Sequence, residues 1–384
     1  MKTVLTINAG SSSLKFAAYD VENDLTVVMD GQIENIGKKA RLIVDHGDNR
    51  KIKNLGAIDH HGAMAAVLKV LRKRLAGRVI HAVGHRIVHG GVNFSAPQIL
   101  TPDVIAELET YIPFAPLHQP HNLNCVQAAI ASFPGAIQIG CFDTAFHRDH
   151  PWVNDTFALP RRFYDEGVRR YGFHGLSYDY ITSVLERDYP ELHDKKVVIA
   201  HLGNGASMCA IRQGQSVGST MGFSALDGLP MGTRCGQIDP GVLLYLMDQK
   251  QLSATEITNI LYKESGMLGL SGISGDMRTL QASDAPEAAQ ALDYYTFRVA
   301  REIGAMSAVL GGIDALVFCG GIGENSAHIR ARATQNLGYL GIKLNLNANA
   351  WHEREISDGP TRVFVIPTDE ERVIARAAKA HIAT

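Results

Sequence analysis

Two stretches of this chain open alike, and that recurrence constrains the fold more than any other feature. TVLTINAGSSSLKFAAYD, from Thr3, and KVVIAHLGNGASMCAIRQG, from Lys196, each read as an apolar run, a glycine-rich turn and a second apolar run. A short apolar run bounded by turn residues is the pattern of a buried strand. Each stretch therefore predicts a β-hairpin whose tight turn can bring backbone N–H groups close to a phosphate. Superposing the two strings sets Gly10 on Gly205 and Ser12 on Ser207, which suggests a duplicated unit.

The rest of the chain fits two copies of a mixed unit. LTVVMDGQIENI supplies a third strand, completing a meander over the first 36 residues. Gly62 to Leu75 has helical periodicity, and HAVGHRIVHGG reads as a buried strand closed by two glycines. Thr101-Pro102 is a helix start, with an N-cap hydroxyl before a first-turn proline, and AIQIGCFDTAF is a further buried strand ending at Asp143. In the second half, Ser253 and Glu256 form a capping box, another helix follows Ala288, and ALVFCGG is a strand feeding a glycine loop and a helix. VFVIPTDEERVIARAAKAHIA closes the chain as strand, polar turn and helix. Strands mixed with helices throughout predict an α/β fold of two similar domains with a cleft between them. The expected domains are residues 1–150 and 151–370, with a final helix over about 371–384 packing back on the first.

Composition narrows the function classes. Lys and Arg number 37 against 39 Asp and Glu, a formal charge of −2, so the general attraction of a basic protein to nucleic acid or anionic lipid is missing. No apolar run approaches the roughly 20 residues of a membrane span. The start MKTVLTINAG breaks its apolar run at Asn8 and lacks a signal-peptide profile. Cys125, Cys141, Cys209, Cys235 and Cys319 are an odd number, scattered, with no CxxC pair. That pattern opposes a disulfide framework or zinc site and predicts a cytoplasmic protein.

Several short motifs carry chemistry. INAGSSSLK crowds hydroxyls and backbone donors ahead of Lys15 without the spacing of a Walker A loop, and is by itself either a phosphate loop or a plain hairpin turn. GHRIVHGG places Arg86 in an apolar strand. Burying it is costly unless it meets an anionic ligand or an internal carboxylate, and both readings stand. FDTAF sets Asp143 at a strand exit, where open α/β sheets hold ligands. RRYGFHG, HLGNGAS, MGTRCGQIDP, SGISGDMR and FCGGIGENS add Arg169, Arg170, His174, Asn204, Gly205, Arg234, Asp276 and Arg278 among glycine turns. Cationic clamps, a few carboxylates and close backbone approach are what phosphoryl transfer requires.

In order along residues 4 to 371, VLTINAGSSSLKF, GHRIVHGG, APLHQPHN, FDTAFH, RRYGFHGLS, AHLGNGAS, STMGFSALDGLPMGTR, SGISGDMR, VFCGGIGENS and IPTDEE resemble the acetate kinase family. The resemblance implies a pair of actin-like (ribonuclease H-like) domains of the acetate and sugar kinase, heat-shock ATPase and actin superfamily, with the active site in the interdomain cleft. It implies reversible phosphoryl transfer between ATP and acetate, with Mg2+ or, as an alternative, Mn2+. Arg86, Asp143, His174 and Arg234 match the family's catalytic residues, and Arg86, Val88, Leu117, Phe173 and Ala225 its substrate pocket. Ser11, Ser13, Lys15, His201, Leu202, Gly203, Asn204 and Gly205 match its phosphate loops, Asp276, Met277, Arg278, Gly321, Ile322, Gly323 and Asn325 its nucleotide pocket, and Asn8 with Glu370 its magnesium-linked pair. The expected partners are a short-chain carboxylate, ATP and a second copy of the chain, with no nucleic acid and no membrane.

Three positions depart from the family's pattern. SALDGL stands where TPLEGL is usual, which puts Ala225 in place of a pocket-wall proline and points towards a roomier acyl site; TRCGQ puts Gln237 in place of an acid; TDEE adds the Asp369 carboxylate near the proposed metal position. The rival readings are a propionate or butyrate kinase, a non-catalytic ATP-driven switch and a sugar kinase. The last two leave Arg86, His174 and Arg234 without an anionic second substrate to serve.

Overall fold

The computed structural model describes residues 2–10, 13–46, 49–75 and 77–382. Ser11 and Ser12 of the first turn lie outside the described residues. The chain divides into two compact units: Met1–Arg148 with Asp369–Thr384, and Asp149–Thr368.

The first unit carries β1 (Lys2–Ala9), β2 (Leu14–Asp20), β3 (Thr26–Glu34), β4 (Ala40–His46), β5 (Asn49–Gly56), β6 (Val79–Ile87), β7 (Gln98–Ile99) and β8 (Ile137–Phe142), in the sheet order β5-β4-β3-β2-β1-β6-β8-β7. The second carries β9 (Lys196–Leu202), β10 (Ala206–Arg212), β11 (Gln215–Ser219), β12 (Ala315–Cys319) and β13 (Arg362–Val365), ordered β11-β10-β9-β12-β13. The five strands β3-β2-β1-β6-β8 repeat this second order, with the same sense at every step. The first three strands pair antiparallel, and the fourth and fifth join parallel. The repeat that the sequence suggests is therefore present in the topology.

The pairing corrects the superposition of the two turns. Asn8 faces Lys15 and Ala9 faces Leu14 in the first hairpin, while His201 faces Ser207 and Leu202 faces Ala206 in the second. By register Gly10 corresponds to Gly203, not to Gly205, because the first hairpin leaves residues 10–13 between its strands and the second only residues 203–205. Matching glycines and serines by eye misses a one-residue difference in turn length, whereas register fixes which side chains share a face.

Strands β1, β9 and β12 are buried along nearly their whole lengths, as expected of sheet centres covered on both faces. In the first unit Leu5, Ile7, Phe16, Met29 and Ile33 pack with Ala63, Met64, Val67 and Leu71 of the His60–Arg74 helix. The 4- and 3-residue steps among Ala63, Met64, Val67 and Leu71 keep them on one face, and burying a residue such as Leu71 contributes about 1.5–3 kcal/mol. The helix starts two residues before the sequence pattern suggests, because the Asp59 side chain accepts from the Gly62 N–H at 2.8 Å. Thr101 caps the Pro102–Thr110 helix and Ser253 with Glu256 forms a capping box, both as their sequences imply. The helix expected after Ala288 begins at Pro286 and runs to Leu310. The glycines after β12 do not form a loop; Gly320–Asn325 is itself helical and starts directly from the strand.

The closing helix, Glu370–Ile382, lies in the first unit against β6 and β1. Gly84 explains how: a Cβ there would collide with the Ile374 side chain, so only glycine lets helix and strand meet at that distance. This contact fixes Glu370 and Glu371 at the head of the helix near the ends of β1 and β6.

Candidate functional site

In the first unit, Asn8, Arg86 and Asp143 come from or just follow the carboxyl ends of β1, β6 and β8, three strands that run parallel. Asp143 leaves β8 with its N–H bonded to the Ile87 carbonyl at 3.0 Å. Its side chain is buried and grips Arg86 along one edge, Nε to Oδ1 at 2.9 Å and Nη2 to Oδ2 at 2.5 Å. Arg86 Nη1 reaches Asn8 Oδ1 at 3.2 Å, and Asn8 Nδ2 donates to Glu370 Oε2 at 3.0 Å and Glu371 Oε1 at 3.1 Å. The two-point pair offsets the cost of a largely buried guanidinium. Burial works against the Arg86 cation, yet Asp143 and, further out, Glu370 and Glu371 hold its proton more tightly than usual. The internal ion pair left open by the sequence is thus real, and it aims the arginine at a strand exit.

Lys15 is exposed, 3.9 Å from Glu371, and Ser13 accepts the Gly10 N–H through its backbone carbonyl at 2.8 Å. Ser11 lies outside the described residues. Burial raises the Glu371 carboxyl above its ordinary value, with Lys15 opposing the rise and Glu370 adding to it. Sequence reasoning missed Glu371 as a partner of Asn8; its place one residue after Glu370 was the available signal. Asp369, in contrast, spends an oxygen on the backbone, accepting from the Arg372 N–H at 2.9 Å as the cap of the closing helix.

These oxygen groups suit a hard divalent cation. Among the described residues no three His, Cys, Asp or Glu side chains are grouped to hold a metal by themselves. The donor set therefore fits an ion that keeps most of its water and takes one or two carboxylates, as Mg2+ does, and not an all-protein cage.

In the second unit, His174 heads the Gly175–Asp188 helix in a left-handed backbone conformation, φ 58°. Its Nδ1 lies 2.8 Å from Ser207 Oγ on β10, and its ring stacks on that of His201 on β9 at 4.4 Å. Arg234 donates through Nη1 to the Ala225 carbonyl at 2.8 Å. A Cβ placed on Gly205 would lie 2.8 Å from Arg234 Nη2 and 3.0 Å from His174 Nε2, so both side chains converge on that bare turn. Ala225, read from sequence as pocket wall, acts here through its backbone by holding Arg234. Gln237 accepts from Arg298 at 3.2 Å and also from Arg301, tying the segment before Ile238 to the Pro286–Leu310 helix.

Beside the same turn opens a cavity of about 830 Å³ lined by Gly203, Asn204, Asp276, Met277, Arg278, Gly321, Ile322 and Asn325. Asp276 caps the Met277–Gln281 helix and grips Arg278, with Nη2 to Oδ2 at 2.6 Å. Eight of the residues expected around a nucleotide are thus brought together. Leu202 and Gly323 are buried and do not line the cavity; the Gly323 carbonyl instead accepts from buried Arg330 at 2.8 Å. Gly275, Gln281, Ala282 and Ser326 line it without having been foreseen. Of the expected acyl-pocket residues, Val88 and Leu117 belong to the first unit and Phe173 and Ala225 to the second.

Comparison with known proteins gives these features a context. The chain is 54% identical to an acetate kinase of Methylocella silvestris, over 98% of this chain and 96% of that one. Among solved structures, an acetate kinase of Porphyromonas gingivalis is 36% identical with a TM-score of 0.88, covering 100% of both chains. A propionate kinase of Francisella tularensis is 34% identical with a TM-score of 0.91, covering 98% of this chain and 99% of that one. The family model for the acetokinase family matches residues 3–376. From its strand order to its arginines, this chain belongs to the acetokinase family.

Proposed function

We propose that this kinase moves the γ-phosphoryl group of ATP reversibly to the carboxylate of acetate, giving acetyl phosphate and ADP. The observation that carries the reading is the convergence of His174 Nε2 and Arg234 Nη2 on Gly205, in the same unit and beside the same turn as the 830 Å³ cavity. The acyl carboxylate is already ionised near pH 7, so it attacks phosphorus without a strong general base. Charge that develops on the equatorial oxygens is met by Arg234 and His174, while Arg86, held by Asp143, binds the acyl substrate. Asn204 and the Gly203–Gly205 turn serve the phosphates, and Asp276, Arg278, Gly321, Ile322 and Asn325 the nucleoside. Ser11, Ser13, Lys15 and His201 act on the phosphate side, and Val88, Leu117, Phe173 and Ala225 define the acyl group.

Asn8 and Glu370 are the residues that would hold Mg2+. When bound, the ion neutralises the diphosphate. We place the protein in the cytoplasm, in keeping with Cys125, Cys141, Cys209, Cys235 and Cys319, none of which forms a disulfide among the described residues. No helix among the described residues is long and apolar enough to cross a membrane. We also propose a homodimer through the second unit. The Pro240–Asp248 helix buries none of its residues yet exposes Val242, Leu244, Tyr245 and Met247, and Phe297 is 64% exposed on the Pro286–Leu310 helix to which Gln237 ties this segment. An apolar face of that kind suits a second copy of a chain with little net charge. Leu244→Glu should shift the sedimentation of the protein from dimer to monomer.

The deciding assay supplies MgATP with formate, acetate, propionate or butyrate and traps the acyl phosphate with hydroxylamine. Highest kcat/KM with acetate is expected. A clear propionate preference would keep the mechanism and assign the substrate of the Francisella relative's name. No acyl phosphate from any acid, with folded ATP-binding protein, would overturn the proposal.

A further inference from the structure

Two buried hydroxyl groups stand behind His174. Ser207 Oγ lies 2.8 Å from His174 Nδ1 and is also hydrogen-bonded to Tyr178 Oη. Ser207 and Tyr178 are both fully buried. Tyr178 stands one turn along the helix that His174 heads, and its N–H is bonded to the His174 carbonyl at 3.1 Å. A ring nitrogen that accepts a hydrogen bond leaves the proton on the other nitrogen. One of the two directions this hydrogen-bond chain allows has Tyr178 O–H donating to Ser207 Oγ and Ser207 O–H donating to His174 Nδ1, which puts the proton of the neutral imidazole on Nε2, the atom that faces Gly205 beside Arg234.

Arg234 and His201, both beside the ring, oppose a further positive charge on it. Arg234 supplies a fixed positive charge on the Nε2 side. His201, stacked at 4.4 Å with 19° between the planes, is a second titratable ring whose protonation would oppose that of His174. His201 Nδ1 is itself 2.8 Å from Ser177 Oγ, which lies 2.8 Å from Thr368 Oγ1, so the two stacked rings are each backed by serine. Burial pushes the Tyr178 phenol well above its ordinary value, with Cys209 and Cys319 adding to the rise, so Tyr178 keeps a proton that it can donate over the working range.

We infer that Tyr178 and Ser207 are positioning residues that fix His174 as the neutral, Nε2-protonated tautomer, so that it meets phosphoryl oxygens as an uncharged hydrogen-bond donor next to the charged Arg234. The inference rests on the proposed role of His174 in phosphoryl transfer, but its state can be read without turnover. An uncharged donor stabilises developing charge without adding a second cation to hold ATP or ADP in the ground state, and so favours kcat over binding.

The test is two-bond 1H–15N NMR of the full chain with labelled histidine, assigning His174 by its loss in His174→Gln. The expected pattern is the Nε2–H tautomer, unchanged from pH 6 to 8. Ser207→Ala should convert it to a tautomer mixture and lower kcat about ten- to a hundredfold, with KM for ATP and acetate nearly constant. Ser207→Thr should restore both, and Tyr178→Phe should show a smaller loss in the same direction. An imidazolium or an Nδ1–H pattern at pH 7 would overturn the inference. So would an unaltered tautomer and kcat in both Ser207→Ala and Tyr178→Phe. An Nε2–H pattern in an enzyme that forms no acyl phosphate would uphold the tautomer and sink the proposed reaction instead.

Discussion

The Gly205→Ala substitution tests the site with a single methyl group. Gly205 does not adopt a positive φ, so alanine is compatible with its backbone. The added Cβ would lie 2.8 Å from Arg234 Nη2 and 3.0 Å from His174 Nε2, where ordinary contact begins near 3.4 Å. Both groups must therefore retreat by roughly half an ångström, and the methyl takes the space in which an oxyanion would sit. The Arg234 guanidinium is the far end of a flexible side chain, so the fold gives way cheaply, with a loss of about 1 kcal/mol or less. Catalysis is less tolerant. A displacement on the order of an ångström costs about a hundredfold, and losing one oxyanion donor costs about a hundred- to a thousandfold, so kcat should fall by about two to three orders of magnitude. The assay is initial-rate hydroxamate formation with saturating MgATP and acetate, beside a thermal melt. A Gly205→Ala protein with a normal Tm and a kcat within about threefold of the parent would refute the claim that His174 and Arg234 act at this turn.

Gly321 tests the neighbouring cavity. Nothing lies within 4 Å of a Cβ built there, so Gly321→Ala should leave the melt unchanged while the methyl, entering the cavity, raises KM for ATP and not for acetate. Arg330 is buried and binds the carbonyls of Gly323, Glu324 and Asn349 with the Asn349 side chain, and burial holds its pKa down to about 10. Arg330→Met leaves those carbonyls unsatisfied and should cost about 3–5 kcal/mol in urea unfolding. His85 is buried, bonded to Gln138 at 2.8 Å, and burial lowers its pKa to about 4. Because the unfolded ring takes a proton near pH 6.5 and the folded one does not until about 4, stability falls as the pH drops through this window, by up to about 3 kcal/mol. The His85→Gln variant should lose that part of the acid slope, and an unchanged slope would count against it.

The central strands were legible because their apolar runs are long and bounded by turns; their order in the sheets was not read from the sequence. Three further details were not legible. The superposed turns were out of register, since residue identity at a turn does not encode which residues pair across it. The glycines after β12 read as a loop, yet Gly320–Asn325 is helical, with Arg330 binding its last carbonyls. Propensity disfavours glycine in a helix, but a tertiary cation at the carboxyl end supplies what local sequence lacks. Asp369 read as a metal neighbour because a carboxylate in sequence has no direction; only the geometry shows it capping a helix.

In each unit the charged candidates were legible in the sequence and the hydroxyls were not. Arg86, Asp143, His174 and Arg234 stand out in sequence because a charged or titratable group beside glycine is expensive to place and so has few purposes. Ser177, Ser207 and Thr368 do not, since a buried hydroxyl satisfies itself against many partners and leaves no mark on composition. One signal did exist: Tyr178 follows His174 by four residues, the spacing that sets two side chains on one helix face. The hairpin register adds the rest of the logic. His201 and Ser207 face each other across the second hairpin in the place where Asn8 and Lys15 face each other across the first. Equivalent strand-end positions thus carry, in one unit, an amide that bonds Glu370 and Glu371 opposite a lysine, and in the other a histidine that stacks on His174 opposite the serine that binds its Nδ1. The duplicated topology fixes where polar side chains emerge, and substitution at equivalent register positions decides what each unit does there.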